Sequence, residues 1–184
     1  MDGAAQREHA VIARRLGRAP QERLGYNYDA CSLPGSFDPV TFGHLDVFAR
    51  AASLFDEVVI LVAHNSSKNP LFSPRQRVEF IREEVRHMTN VRVEDFGGLL
   101  VDFCRDIRAD AIVKGLRSAV DLDAEYPMAL MNREISGIET VFLVGDPAKG
   151  HIASSLVKDV ARHKGDVRSF VPARVARALE EEMQ

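Results

Sequence analysis

From Tyr28 onward the chain alternates between short β-branched runs and stretches whose apolar residues recur at helical spacing. Tyr28 to Leu33 reads as a first strand, and Leu45 to Leu54 as the amphipathic helix after it. Val58 to Ala63 is a continuous apolar run suited to a strand buried on both faces. Ser73-Pro74-Arg75-Gln76 predicts a capping box with proline at the first helical position, opening a helix striped by Val78, Ile81 and Val85. Val91 to Val93 predicts a third strand, and Gly97-Gly98 leads into a helix through Phe103 and Ile107. Ala111 to Val113 reads as a short fourth strand, Leu122 to Ile135 as a helix, and Thr140 to Val144 as a fifth strand. A helix from Ser155 to Lys164 stops at Gly165, and Pro172 opens a last one striped by Val175, Ala176, Leu179 and Met183.

Strands and helices in strict alternation imply right-handed crossovers. The predicted fold class is therefore α/β, a Rossmann-like, doubly wound, five-stranded parallel sheet with helices on both faces, spanning residues 27–184. Residues 1–26 form a separate N-terminal extension. Ala5, His9, Ile12, Ala13 and Leu16 share a helical face there until Gly17 and Pro20 end the pattern, so the segment is expected to be helical or mobile. No internal repeat interrupts the plan.

Composition narrows the function classes. With 46% apolar and 28% charged residues, the 184-residue chain has the make-up of an ordinary globular domain. A net charge of −3 argues against a general nucleic-acid binder, so any cationic site must be local. No apolar run approaches the ~20 residues that span a membrane, and the first residues lack a signal peptide's apolar core. Cys31 and Cys104 fall in a predicted strand and a predicted helix without metal-ligand spacing, as buried small hydrophobes in a reducing, cytoplasmic setting would.

Ligands of open parallel sheets bind beyond the carboxyl ends of the strands. Ser36 and His44 follow the first predicted strand, and Ser67 and Lys68 the second. Lys114, Gly115 and Arg117 leave the fourth, and Lys149, Gly150, His151, Ser154 and Ser155 follow the fifth. Four loops thus bring cations, hydroxyls and glycine backbone to one sheet edge, a set suited to polyphosphate. Taken singly, each residue also has a structural reading. Ser36 and Asp38-Pro39 could be turn residues, His44 a helix cap, Lys68 a solvated lysine, Ser154-Ser155 an N-cap and Glu125 an exposed carboxylate. Their common position favours the site.

The run Gly35-Ser36-Phe37-Asp38-Pro39-Val40-Thr41-Phe42-Gly43-His44 resembles the signature of the HxGH/TxGH nucleotidyltransferases. Ser67-Lys68-Asn69-Pro70-Leu71-Phe72, Lys114-Gly115-Leu116-Arg117, Met131-Asn132-Arg133 and the stretch from Ser154 to Ala161 are similar to segments of bacterial phosphopantetheine adenylyltransferases, in order and at near-constant spacing. The resemblance covers Tyr28 to the C-terminus. It implies transfer of an adenylyl group from ATP to 4′-phosphopantetheine, giving dephospho-coenzyme A and pyrophosphate, with Mg²⁺ as cofactor held mainly by ATP phosphates rather than by a protein cage. It also implies a homohexamer in the cytoplasm, with no nucleic-acid or membrane partner.

By resemblance His44, Ser36 and Lys68 are the catalytic residues: His44 stabilises the transition state at the α-phosphate, Ser36 orients the attacking phosphate and Lys68 neutralises it. ATP is expected to meet Ser36, Phe37, His44, Gly115, Leu116, Arg117, Glu125 and the run Lys149, Gly150, His151, Ile152, Ala153, Ser154 and Ser155. Phosphopantetheine is expected to meet Ser36, Lys68, Leu100, Lys114 and Asn132. The chain departs from the family pattern at Ala124, where an aromatic is usual, at Pro127, and at His151 and Ala153, where an aromatic and a serine are usual. Two rival functions are a nucleotidyltransferase for nicotinamide mononucleotide or a small phosphorylated alcohol, and a nucleotide-binding regulator without turnover.

Overall fold

A proline in the middle strand shapes the sheet. In the computed structural model, which describes residues 29–64 and 69–183, β1 (Ala30–Gly35) lies at the centre, and Pro34 within it has no N–H to donate. The other strands are β2 (Glu57–Ala63), β3 (Val91–Phe96), β4 (Ala111–Leu116) and β5 (Glu139–Val144), in the spatial order β3-β2-β1-β4-β5, all parallel. β1 pairs with β2 from Ala30↔Glu57 to Gly35↔Val62, but with β4 only at Cys31↔Ala111 and Ser32↔Ile112. Pairing with β4 thus ends before Pro34, and the two strands part at their carboxyl ends. That is also where strand order reverses, the place for a crevice in a doubly wound sheet.

Alternation along β2 explains the two layers. Val58, Ile60 and Val62 face a large core, built with Val47 and Phe48 of α1 (Phe42–Leu54), Val78 and Ile81 of α2 (Pro74–Val85), and Leu179 of the C-terminal helix. Val59 and Leu61 face the opposite side, where Phe103 of α3 (Leu100–Asp106) covers them. The remaining helices are α4 (Ala119–Ser136), α5 (Ser154–Arg162) and α6 (Ala173–Glu182), with a 3-10 turn at Pro147–Lys149. The doubly wound sheet and the element order agree with the sequence reading. The helix expected within residues 1–26, and Ser67 and Lys68, lie outside the described residues.

Boundaries differ where the candidate site begins. α1 starts at Phe42, so Gly43 and His44 belong to the helix, with Thr41 as its N-cap. β4 extends to Leu116 because Lys114, Gly115 and Leu116 pair with Phe142, Leu143 and Val144. α4 starts at Ala119 and runs through Pro127, which forgoes the bond to the Asp123 carbonyl without ending the helix. α5 ends at Arg162 rather than Lys164. Helix ends are closed by side chains from elsewhere: Asn90 Nδ2 donates to the carbonyls of Ala52 and Phe55 at 2.8 and 3.0 Å, satisfying the C-terminus of α1. Of the eighteen residues of α4, Asn132 alone is buried, and Val120, Tyr126, Met128 and Met131 stand exposed along the helix.

Gly115 is a packing requirement rather than a flexible point. A Cβ built on it would lie 2.8 Å from Val47 Cγ2 of α1, closer than side-chain carbons approach. Because Val47 is short and buried, it cannot swing aside. Gly115→Ala should therefore destabilise the fold by about 1–3 kcal/mol, the usual range for overpacking, read as a lower denaturant midpoint at unchanged slope. An unchanged midpoint would contradict this packing.

Candidate active site

The crevice between the parted ends of β1 and β4 is a cavity of about 590 Å³. Its floor is the β1–α1 loop. Phe37 adopts a left-handed backbone (φ 46) there and folds its ring back over Gly35, where a Cβ would lie 2.5 Å from that ring. The positive φ is a strained state for a bulky residue, held by burial of the ring against Phe48 at 5.2 Å. The Phe37 ring is thus structural: its edge meets the His44 imidazole at 5.1 Å and 87°, and only its backbone is left to a ligand.

His44 is a helix cap with one ring nitrogen to spare. Thr41 N–H donates to Nδ1 at 3.0 Å, and the His44 N–H returns a bond to Thr41 Oγ1, a reciprocal capping box. An Nδ1 that accepts must be unprotonated, so the neutral ring carries its proton on Nε2, the atom left for the cavity. Burial and then the Arg117 charge push the imidazole down to about 4, so the ring is a neutral hydrogen-bond donor at physiological pH. Gly43 beside it is not demanded by protein packing. A Cβ there would make ordinary contacts at 3.6 Å and beyond, which leaves close approach of a ligand as its use.

The cations arrive already oriented. Lys114 Nζ lies 3.0 Å from Glu125 Oε2. Arg117 is held in a fork by Asp121, Nε to Oδ2 at 3.0 Å and Nη2 to Oδ1 at 2.9 Å, and donates through Nη1 to the Ile152 carbonyl at 3.1 Å. Two of its five N–H groups remain for a ligand. Burial would raise the Asp121 carboxyl, but the Arg117 bonds outweigh it and hold the group below the usual carboxylate range. On the far wall α5 begins at Ser154 with Ala153 as N-cap and no side-chain bond closing its first turn. Ala153, Ser154 and Ser155 line the cavity, so open backbone N–H groups and the positive end of the helix face it. The Ser154 hydroxyl proton is committed to the Pro39 carbonyl at 2.8 Å.

The structure brings Ser36, Phe37, His44, Lys114, Gly115, Arg117, Glu125, Ile152, Ala153, Ser154 and Ser155 to this one cavity. Leu116, Lys149, Gly150 and His151 are not among its lining residues. Lys149 pairs with Asp146 at 2.8 Å and Asp46 at 3.5 Å, and the exposed His151 meets Phe170 edge-on at 5.9 Å. Leu100 packs with Phe103 and Ile107 on the α3 face, and Asn132 is buried on α4, both away from the lining. Sequence reasoning gives no role to Asp38, Arg77, Asp121 or Lys158, which also line the cavity. The place of Asp38 within the Gly35–His44 motif and the four-residue spacing of Ser154 and Lys158 are the available signals. Among the described residues no group of three or more His, Cys, Asp or Glu side chains could hold a metal ion, and no helix is long and apolar enough to cross a membrane.

Comparison with known proteins gives the chain's relatives. The family model for cytidylyltransferase-like proteins matches residues 32–160. Phosphopantetheine adenylyltransferase of Nocardioides sp. is 54% identical over 142 residues, covering 77% of this chain and 89% of the relative. The enzymes of that name from Clavibacter michiganensis and Streptomyces coelicolor are 52% and 50% identical over 151 residues, covering 80% and 82% of this chain and 93% and 95% of theirs. Among solved structures, a bifunctional NMN adenylyltransferase/ADP ribose pyrophosphatase from Francisella tularensis superposes with a TM-score of 0.64 at 16% identity, over 85% of this chain and 50% of that one, a likeness of fold alone. Identity of about half to these relatives along most of the chain, with the family model matching residues 32–160, makes this protein a member of the phosphopantetheine adenylyltransferase family of cytidylyltransferase-like proteins.

Proposed function

We propose that this chain transfers the adenylyl group of ATP to 4′-phosphopantetheine, forming dephospho-coenzyme A and pyrophosphate. The observation that carries the reading is the convergence of Ser36, His44, Lys114, Arg117 and the uncapped start of α5 on one cavity, in a chain about half identical to relatives of that name. The acceptor's phosphate is ionised at neutral pH, so it attacks the α-phosphorus without a strong general base. The bond to the bridging oxygen breaks, and its electron pair leaves with pyrophosphate. What remains for the protein is positioning and stabilisation of charge.

His44 Nε2–H is the donor to the α-phosphate, where charge builds in the transition state. Ser36 and Lys114 orient the acceptor phosphate, and Lys68, by family resemblance, neutralises it. The two remaining N–H groups of Arg117 serve the β- and γ-phosphates, and the first N–H groups of α5 receive the departing pyrophosphate. The pairing of Glu125 with Lys114 ties its nucleotide-side role to release of that lysine toward phosphate. The crevice's carboxylates fit Mg²⁺ only as an ion brought by ATP. Asp38, Asp121 and Glu125 each have a cation as partner, so phosphate oxygens and water are the ligands left for it. Bound there, Mg²⁺ neutralises charge on the polyphosphate.

We also place the chain in a homohexamer in the cytoplasm. The exposed apolar residues of α4 support burial against other copies, the number six follows the family resemblance, and the free thiols of Cys31 and Cys104 suit a reducing compartment.

Incubated with ATP, Mg²⁺ and candidate acceptors, the chain should release pyrophosphate with 4′-phosphopantetheine and not with nicotinamide mononucleotide. His44→Ala should lower kcat by roughly 10²–10³, about 2.7–4 kcal/mol, while ATP affinity holds; normal turnover would remove the assigned role. In NMR titration of the ligand-free chain the His44 imidazole should change charge near pH 4 rather than 6.5. With the folded value below the unfolded one, the unfolded chain takes up the proton first. Stability should then fall by at most about 3 kcal/mol as pH drops from 6.5 to 4, a loss that disappears in His44→Asn. In sedimentation the parent should run as six chains of 20.4 kDa, and Tyr126→Glu combined with Met131→Glu should yield smaller species; an unchanged assembly would move the interface elsewhere.

A further inference from the structure

Sequence alone leaves Asp38-Pro39 as turn punctuation, yet the structure buries the Asp38 carboxylate to 6% exposure and gives it three donors. Its Oδ2 accepts from Leu71 N–H at 2.9 Å and from Lys158 Nζ at 2.6 Å, and its Oδ1 accepts from Phe72 N–H at 2.9 Å. Burial works to raise this carboxyl, and the Lys158 and backbone bonds overcome it, so the group stays charged. Lys158 stands one helical turn after Ser154, whose hydroxyl donates to the Pro39 carbonyl. One face of α5 therefore grips two consecutive residues of the β1–α1 loop.

The loop is held from behind as well. Arg77 of α2, 3% exposed, donates through Nη1 to the Ser36 carbonyl at 2.6 Å, while its buried Nε has no hydrogen-bond partner among the described residues. A buried donor left unsatisfied costs free energy, so the bond to the Ser36 carbonyl is held against that cost. Asp38, Arg77 and Lys158 all line the cavity, beside groups that must meet opposite ends of one polyphosphate.

We propose that Asp38, Lys158 and Arg77 are positioning residues that fix the spacing between the Ser36–His44 segment and the open N-terminus of α5, so that both ends of a bound polyphosphate are held at once. The proposal rests on the adenylyl-transfer reading, in which α5 receives pyrophosphate. In-line displacement makes the spacing matter, because misplacement by about 1 Å can cost two orders of magnitude in rate.

Inorganic pyrophosphate is the probe, with binding measured by titration calorimetry at a temperature where circular dichroism shows each variant folded. Charge alone and positioning make opposite forecasts. Asp38→Asn removes a negative charge beneath an anion site and by charge alone should tighten binding; positioning requires it to weaken at least tenfold. Lys158→Met should weaken binding likewise. The double variant Asp38→Asn/Lys158→Met leaves net charge unchanged and should remain at least tenfold weaker than the parent. It decides the matter if Asp38→Asn alone does not fold; if neither asparagine variant folds, Asp38→Glu decides, since it keeps the charge and moves the carboxylate, so that charge alone forecasts parent-like binding and positioning at least a tenfold loss. Parent-like or tighter binding in the deciding variant overturns the proposal, as does a parent that binds no pyrophosphate. A parent that binds pyrophosphate but releases none from ATP and 4′-phosphopantetheine removes the functional reading, while weakened variants keep the positioning cluster.

Discussion

Positive charge gathered in a half-buried crevice repels itself, and this chain offsets that by giving three of the cations that line it a carboxylate, while Arg77 donates to the Ser36 carbonyl. Lys114 has Glu125, Arg117 has Asp121, Lys158 has Asp38, and at the rim Lys149 has Asp146 and Asp46. The exposed rim pairs contribute little to stability, whereas the Asp38–Lys158 contact, largely screened from water, is one whose partners cannot be separated cheaply. The pairing also orders long side chains before a ligand arrives. A polyphosphate then exchanges one anion for another at cations already in place, and avoids immobilising free lysines and arginines at the moment of binding.

The cavity those cations serve follows from the backbone. Strand order reverses between β1 and β4, and Pro34 lies beyond the last residue that pairs them. Two helices begin at the opened edge. α1 starts with a closed cap in which His44 takes part, and α5 starts with Ala153, which has no side chain to close it. One helix end therefore orients a side chain, and the other leaves backbone donors open. A serine at position 153 could occupy one of those donors itself, so its absence here is compatible with anion binding.

How much of this the sequence reveals depends on what fixes each feature. Periodicity is a property of buried faces, so the five strands, their parallel order and the helices between them are legible. Boundaries are less so. Lys114 to Leu116 joins β4 through pairing with β5, a partner twenty-five and more residues away, and Gly115 answers to Val47 on α1. Asp38, Arg77 and Asp121 escape for a different reason: a carboxylate in a turn or an arginine on a helix looks solvated until its distant partner is known. The Asp38–Lys158 contact spans 120 residues. Positions carried by family resemblance divide as well. Ser36, His44, Lys114 and Arg117 line the cavity, whereas Leu100 packs with Phe103 and Asn132 is buried on α4 outside the lining, and a pattern of motifs says nothing of depth.

His44 shows why structural and chemical readings of one residue need not compete. As a cap its Nδ1 must accept, which requires a neutral ring; as a donor to phosphate its Nε2 must carry the proton, which the same bond ensures. The cap thus selects the tautomer the chemistry needs, and edge contact with Phe37 fixes the ring plane. Burial then keeps a second proton off until a phosphate brings negative charge beside it, so any gain of charge by the ring is coupled to the ligand that it would stabilise. Replacing His44 removes the side-chain half of the capping box and the donor together, while the bond from its backbone N–H to Thr41 remains. An amide at this position, able to accept through oxygen and donate through nitrogen, is the substitution that removes the titration alone.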